Sequence, residues 1–203
     1  MKIICIGRNY AEHAKELNNP IPQEPVFFMK PDTALVLDNG PFQYPAFSSD
    51  VQYEVEIVLR VSREGTNITE ESAHAYYDAI GLGIDFTARD LQKKCKDKGL
   101  PWEKAKAFDQ SAPVSRFLAK DRFEDLNQIP FSLLVNQQKR QDGNTKDLLF
   151  TFEKVMTHIS RYVTLKKGDL IFTGTPEGVG PVERGDRLEG FIGSEKMLDF
   201  VIR

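Results

Sequence analysis

Glu54 and Glu56 stand two residues apart in the run Tyr53-Glu54-Val55-Glu56-Ile57-Val58-Leu59-Arg60-Val61. On a strand, alternate residues share a face. Val55, Ile57, Leu59 and Val61 then form an apolar side, and the two carboxylates project from the other, about 7 Å apart by strand rise. Two such charges repel by roughly 2 kcal/mol at an effective dielectric of about 20, and far less in water. Burial therefore decides what they mean. Exposed, they are the solvated face of an amphipathic strand, the commoner situation for this spacing. Enclosed, they need a cation, and an oxygen-only set selects Mg²⁺, Mn²⁺ or Ca²⁺ over zinc.

Asp85 follows the apolar run Ile80-Gly81-Leu82-Gly83-Ile84 and precedes a helical pattern. A third carboxylate at that strand end would complete a facial set of oxygens with Glu54 and Glu56. Arg89 and Gln92 fall at i,i+3 on the first turns of the helix, and a helix N-terminus carrying an Arg suits a carboxylate ligand. Taken alone, Asp85 reads better as a turn residue and Arg89 as a solvated helix charge. His13 and Glu16 are also an i,i+3 pair, in which the carboxylate can fix the imidazole tautomer and raise its basicity. Most such pairs sit on the surface of a short polar helix. No HExxH motif exists, which excludes zinc-protease chemistry.

The stretch from Gly168 to Pro181 reads as a strand entering a glycine-rich loop. It lacks GK[ST] and GxGxxG spacing, but its N–H groups and the Thr175 hydroxyl could hold an anion. A tight hairpin with turn glycines accounts for Gly178 and Gly180 equally well. There is no GxSxG elbow, and neither Cys5 nor Cys95 has a base near it in sequence, so covalent serine or cysteine catalysis has no support.

The elements that must position these residues are mostly strands. Lys2 to Ile6, Val26 to Met29, Leu35 to Leu37, Tyr53 to Val61, Asp78 to Ile84, Phe131 to Val135, Asp169 to Thr173 and Met197 to Ile202 carry β patterns beside turn residues. Three segments predict helices. Thr87 to Lys98 has a possible Thr87/Asp90 capping box and a Gly99, Pro101 stop. Phe150 to Tyr162 carries Phe152, Val155, Met156 and Ile159 as a core-facing stripe. Asn9 to Leu17 is a short helix ended by Asn18-Asn19-Pro20, and the polar, proline-rich residues through Pro25 read as a surface loop.

The chain has 203 residues, 40% hydrophobic and 28% charged, values near the globular average, so it can fold without a disulfide or metal. Nothing divides it, and we read one domain over residues 1–203. The net charge of −3 argues against a nucleic-acid partner. The longest apolar stretches are far short of the roughly 20 residues that span a bilayer, and Arg8 interrupts any signal-peptide core. With two cysteines and no CxxC, the expectation is free thiols in a cytoplasmic protein.

In order and wording, the motifs resemble the fumarylacetoacetate hydrolase superfamily, in particular its compact acylpyruvase and oxaloacetate-acting branch. The matching stretches are Gly7-Arg8-Asn9-Tyr10-Ala11-Glu12-His13, Phe28-Met29-Lys30-Pro31, Glu54-Val55-Glu56, Asp85-Phe86-Thr87-Ala88-Arg89-Asp90-Leu91-Gln92, Lys98-Gly99-Leu100-Pro101-Trp102, Ala105-Lys106 and Thr173-Gly174-Thr175-Pro176-Glu177-Gly178-Val179-Gly180-Pro181. They span nearly the whole chain. The resemblance implies an α+β, mainly β fold, a mixed β-roll with a few short helices, usually dimeric, holding one Mg²⁺, with Mn²⁺ or Ca²⁺ as alternatives. It makes Glu54, Glu56 and Asp85 the metal ligands and places Arg89, Gln92 and Thr175 around the substrate. His13 and Glu16 become a general-base dyad on a lid over residues 9–25. Lys106 stands near the reacting oxygens; Lys104 is close by, but Ala105-Lys106 keeps the family register.

The chemistry implied is that of a small anionic 2-keto acid chelated to a hard cation, which stabilises an enolate when a bond at C3 breaks. The sequence reading ranks hydrolytic C–C cleavage of acylpyruvates first. Oxaloacetate decarboxylation, oxaloacetate keto–enol tautomerisation and 2-hydroxyhepta-2,4-diene-1,7-dioate isomerisation use the same electron sink and follow it. A non-catalytic binding protein would be expected to have lost a ligand, and here all three carboxylates and the dyad are present.

Overall fold

The computed structural model describes residues 1–16 and 20–203. Its largest layer is a six-stranded sheet in the order β2 (Val26–Lys30), β1 (Ile3–Gly7), β12 (Leu170–Phe172), β5 (Val55–Val61), β6 (Tyr77–Ile84) and β9 (Leu118–Ala119). The β1/β12 pair is parallel and the remaining pairs are antiparallel, so the sheet is mixed. Alternation along its strands divides the apolar residues between two cores. Ile4, Ile6, Ile57, Leu59 and Ile171 enter the main core, while Ile3, Cys5, Val58, Leu170 and Phe172 enter a smaller one on the opposite face. An interior strand covered on both sides loses the solvated face that an amphipathic pattern suggests, and β5 is such a strand.

A four-stranded antiparallel sheet, β11 (Gln138–Asn144), β10 (Pro130–Val135), β14 (Arg187–Ile192) and β15 (Glu195–Val201), contributes Phe131, Leu133, Leu188 and Phe200 to the main core. Short ribbons complete the roll: β13 (Gly180–Pro181), β4 (Val51–Tyr53) and β7 (Thr87–Ala88) in one, and β3 (Leu35–Val36) with β8 (Ala112–Pro113) in another. The helices are short: α1 (Ala11–Glu16), α2 (Glu70–Ala73), α3 (Arg89–Lys98), α4 (Glu103–Lys106) and α5 (Phe152–Ser160). The α+β, mainly β architecture agrees with expectation. No helix among the described residues is long and apolar enough to cross a membrane.

Phe152, Val155, Met156 and Ile159 of α5 are all buried, and Thr151 caps the helix by accepting the Lys154 N–H. Gly99, with φ of 61°, ends α3; the Gly99 and Leu100 N–H groups return to Lys96 and Cys95 carbonyls. The start of α3 departs from expectation. Thr87 lies in β7, Ala88 is the N-cap, and no side-chain cap forms. The Thr87 hydroxyl donates instead to Glu54 Oε1 at 2.8 Å, because a buried carboxylate takes a donor more strongly than a helix end that other groups can satisfy. Asp90 accepts from the Ser48 hydroxyl and the Leu91 N–H. The expected strand over 53–61 is two strands interrupted at Glu54, and Gly180 belongs to β13 rather than to a hairpin turn. Leu17 and the Asn18-Asn19 stop lie outside the described residues, as does that part of the candidate lid.

Candidate active site

Sheet register brings the three carboxylates together. Val55 pairs with Ile84 and Glu56 with Gly83, which puts Glu54 across from Asp85, and the Asp85 N–H donates to the Glu54 carbonyl at 2.8 Å. The register sets Gly83 opposite Glu56, and only glycine fits there, since a Cβ would stand 2.5 Å from the Phe172 ring and 2.8 Å from Val58. Glu54 is 6% exposed, Glu56 1% and Asp85 1%. One oxygen from each lies within 4.8 Å of the others. Burial thus resolves the ambiguity of the Glu-x-Glu pattern: these groups need cations.

Three side-chain cations answer part of that demand. The Lys106 ammonium lies 2.9 Å from Glu54 Oε2 and 2.7 Å from Asp85 Oδ2. Arg89 gives Nη2 to Glu54 Oε1 at 2.7 Å, Nε to Gln52 and Nη1 to Gln92 Oε1. Lys30, wholly buried, spends its three N–H bonds on the Phe86 carbonyl, the Lys106 carbonyl and the Ser111 hydroxyl. Its 2.8 Å approach to Asp85 Oδ1 is therefore a charge contact without hydrogen-bond alignment, and Oδ1 remains a buried acceptor with no donor aimed at it.

The charges are divided unevenly. Burial pushes the Glu54 carboxyl up, but Lys106 and Arg89 outweigh it and hold the group well below the usual carboxylate range. Burial likewise opposes the Lys106 charge, and Asp85 with Glu54 overcome it, so the ammonium binds its proton more firmly than a free lysine. Glu56 goes the other way: burial, then Asp85 and Glu54, raise it, and its hydrogen-bond donor is the Gly174 N–H at 2.6 Å. Three clustered carboxylate oxygens, an acceptor at Asp85 with no donor and a carboxylate at Glu56 with no paired cation among the described residues fit a hard divalent ion.

The opposite wall comes from α1 and the loop after β12. His13 is buried and places Nδ1 3.1 Å from Glu16 Oε2, while Glu16 Oε1 accepts the Gly178 N–H. Asn9 anchors this helix: its amide donates to the Phe150 and Thr173 carbonyls and accepts from the Phe150 N–H. Gly174, at φ of 107°, passes Asn9 so closely that a Cβ would stand 2.6 Å from the Asn9 Cβ. The Thr175 hydroxyl donates to the Val55 carbonyl and accepts from Gln141, which also takes the Val55 N–H.

Of the residues singled out in the sequence, His13, Glu54, Glu56, Arg89, Gln92, Lys106 and Thr175 line one cleft, with Asp85 beneath it and Glu16 behind His13. Lys106 is buried at 3% exposure and Lys104 is exposed, so the register argument identifies the inward lysine. Sequence reasoning gave no role to Lys30, Asn9, Gln52, Ser111 or Gln141. Lys30 and Gln141 are wholly buried because partners at least 34 residues away meet their polar atoms, and local pattern carries no such signal.

A family model described as Fumarylacetoacetate (FAA) hydrolase C-terminal matches residues 2–197. The chain is 40% identical to the mouse (Mus musculus) mitochondrial oxaloacetate tautomerase FAHD1 over 201 residues, 99% of this chain and 91% of that protein. It is 42% identical to a mitochondrial oxaloacetate decarboxylase of Dictyostelium discoideum over 203 residues, 99% and 93% of the two chains. Among solved structures, the fumarylpyruvate hydrolase of Pseudomonas aeruginosa, in complex with Mn²⁺ and pyruvate, superposes with a TM-score of 0.94 at 36% identity, covering 100% of this chain and 89% of that one.

Proposed function

The chain belongs to the fumarylacetoacetate hydrolase family, an enzyme family, and from that premise we propose that it is a divalent-metal enzyme acting at C3 of small 2-oxo acids, with oxaloacetate keto–enol tautomerisation as its reaction. The observation that carries the reading is the buried triad of Glu54, Glu56 and Asp85 sharing one cleft with His13, whose Nδ1 is held by Glu16. The curated relatives, named for oxaloacetate, support this substrate above the acylpyruvates that sequence reasoning ranked first.

A hard ion held by Glu54, Glu56 and Asp85 would supply Lewis acidity toward a 2-oxo carboxylate and toward the enolate charge. The chain's own residues do the rest. Glu16 is acceptor-only when ionised, so it fixes the His13 proton on Nδ1 and leaves Nε2 as the base. Nε2 takes a proton from C3, the C–H electron pair forms the C2–C3 double bond, and the carbonyl pair moves to the C2 oxygen. Return of the proton to oxygen completes the tautomerisation. Lys106 adds fixed positive charge beside the developing oxyanion, and Arg89 orients the Gln92 amide through its Nη1 bond.

Acylpyruvate hydrolysis is the second reading, supported by the fumarylpyruvate hydrolase neighbour. There the same His13 would activate a water rather than remove a C3 proton. Loss of CO₂ from oxaloacetate needs no base, so a built dyad speaks for tautomerisation or hydrolysis over simple decarboxylation. The test follows the enol absorbance of oxaloacetate and of acetylpyruvate with Mg²⁺ or Mn²⁺ and again with excess EDTA. Rapid, EDTA-sensitive tautomerisation without pyruvate release is expected. Pyruvate release from acetylpyruvate with no effect on oxaloacetate would move the assignment to the hydrolase.

A further inference from the structure

The same cleft is lined by four cationic side chains, and the chemistry above uses two of them. Arg89 and Lys106 are committed to Glu54 and Asp85. Arg8 and Lys96 also line the cleft, and neither makes a salt bridge among the described residues.

Both are held toward the cleft by specific structure. Arg8 occupies left-handed backbone, φ of 60°, which a branched or long side chain adopts only where its surroundings impose it. The imposition comes from Asn9, whose side chain is bonded to Thr173 and Phe150 and whose carbonyl accepts the Leu149 N–H. Lys96 sits in the last turn of α3, where a helix C-terminus tolerates a cation. Its ammonium also lies 5.6 Å from the centre of the Trp102 ring, itself part of the cleft wall. Burial, then Arg8 and Arg89, make the Lys96 charge harder to keep than that of a free lysine. Like charges gathered at one cleft are relieved by an anion.

We propose that Arg8 and Lys96 form a distal anion subsite that selects 2-oxo dicarboxylates, taking the second carboxylate while the 2-oxo carboxylate end faces Glu54, Glu56 and Asp85. The inference rests on the reading of the cleft given above and adds to it the two residues that take the distal carboxylate and discriminate a dianion from a monocarboxylate such as pyruvate. It accounts for cations that neither the carboxylate triad nor the His13–Glu16 dyad requires.

Lactate and malate make a suitable pair of probes, because both chelate through a 2-hydroxy carboxylate, neither reacts, and only malate carries the distal carboxylate. Calorimetric titration of the Mn²⁺-loaded protein is expected to give malate at least about tenfold tighter than lactate. Arg8→Gln and Lys96→Gln should each cut that ratio several-fold, with lactate and pyruvate affinities held within about twofold. Should Arg8→Gln fail to fold, the exposed Lys96→Gln carries the test alone. Malate no tighter than lactate, or a ratio that survives the substitutions, overturns the subsite while pyruvate binding leaves the cleft reading intact. If lactate, malate and pyruvate all fail to bind the loaded wild type, the cleft reading falls and the subsite falls with it.

Discussion

The Lys30 ammonium and Asp85 Oδ1 approach to 2.8 Å, with both side chains buried. Since the lysine's hydrogen bonds go to Phe86, Lys106 and Ser111, Lys30 acts as a fixed charge that holds Asp85 in place without using up the lone pairs of its oxygen. Breaking a buried pair by removing one partner strands the other charge and costs about 3–5 kcal/mol. Lys30→Met should therefore lower unfolding free energy by about that amount in urea denaturation and weaken Mn²⁺ binding. A loss under about 1 kcal/mol would show that Asp85 is satisfied without it.

Glu56 tells against a purely structural role for the triad. Its carboxyl is raised by burial and by its two acidic neighbours, and the Gly174 N–H is the donor it holds. Glu56→Gln keeps an acceptor for that N–H and removes a buried charge. The metal-free variant should be at least as stable as wild type. Loss of a ligand should weaken Mn²⁺ by more than about 100-fold, above the 10–100-fold typical of outer partners. Wild type gains about 2.7 kcal/mol of stability at an ion concentration 100 times its Kd, and the variant should show no such gain in thermal melts. An equal rise in Tm with Mn²⁺ for both proteins would remove Glu56 from the ligand set.

The residue types of the site were legible in the sequence, and their meaning was not. Glu54-Val55-Glu56 reads as a solvated strand face unless β5 is known to be interior, and that depends on β12 and β6, whose residues lie elsewhere in the chain. The pattern puts Asp85 at a strand end, yet its position opposite Glu54 comes from the β5/β6 register. Thr87 looked like a helix cap because capping motifs are local, while the carboxylate it serves is 33 residues away. The strand pattern does not show β8, β9, β11 or β14; in β11, Gln138-Lys139-Arg140-Gln141-Asp142-Gly143-Asn144 is a polar edge whose one wholly buried side chain, Gln141, bonds to Val55, Thr175 and Pro176.

Gly174 has two separate reasons to be glycine. Its φ of 107° disfavours any L side chain, and a Cβ would collide with Asn9. Gly174→Ala combines a backbone cost of about 1–2 kcal/mol with overpacking of about 1–3 kcal/mol. Because its N–H binds Glu56, the variant should also bind Mn²⁺ more weakly. Gly168→Ala, at φ of 90° with nothing within 4 Å of its Cβ position, should lose only the backbone part and leave Mn²⁺ affinity alone. Equal losses in both variants would show that the close approach at Asn9 contributes nothing.

Tyr77 gives the fold a pH dependence remote from the site. Burial, then the Glu153 carboxylate that accepts its hydroxyl at 3.0 Å, raise its pKa well above the ordinary tyrosine value. A group whose folded pKa is raised adds stability that is complete below the unfolded pKa of about 10. That stability is lost as pH climbs from there toward the folded value. Urea denaturation at pH 8 and pH 11 should show a smaller drop for Tyr77→Phe than for wild type, and the 295 nm absorbance step that Tyr77→Phe removes should lie above the ordinary tyrosine range. Identical drops would mean the hydroxyl is not the titrating group.

His13 separates the three chemistries the cleft could perform. With Nδ1 tied to Glu16, the proposed function makes its Nε2 the base for proton removal at C3 or for activating water. Neither role touches the carboxylate triad. His13→Ala should therefore cut oxaloacetate tautomerisation by about 10²–10⁴ in kcat, while Mn²⁺ affinity and KM stay within about twofold. Glu16→Gln, which keeps one acceptor oxygen where Glu16 uses two for the imidazole and the Gly178 N–H, should lose less than His13→Ala. Any decarboxylation of oxaloacetate should persist in both variants, since departing CO₂ leaves its electron pair without the help of a base. Tautomerisation at the wild-type rate in His13→Ala would sink the dyad. Decarboxylation that fell in step with tautomerisation would mean that the two reactions share the proton transfer, and that ketonisation of the enol precedes CO₂ loss in this cleft.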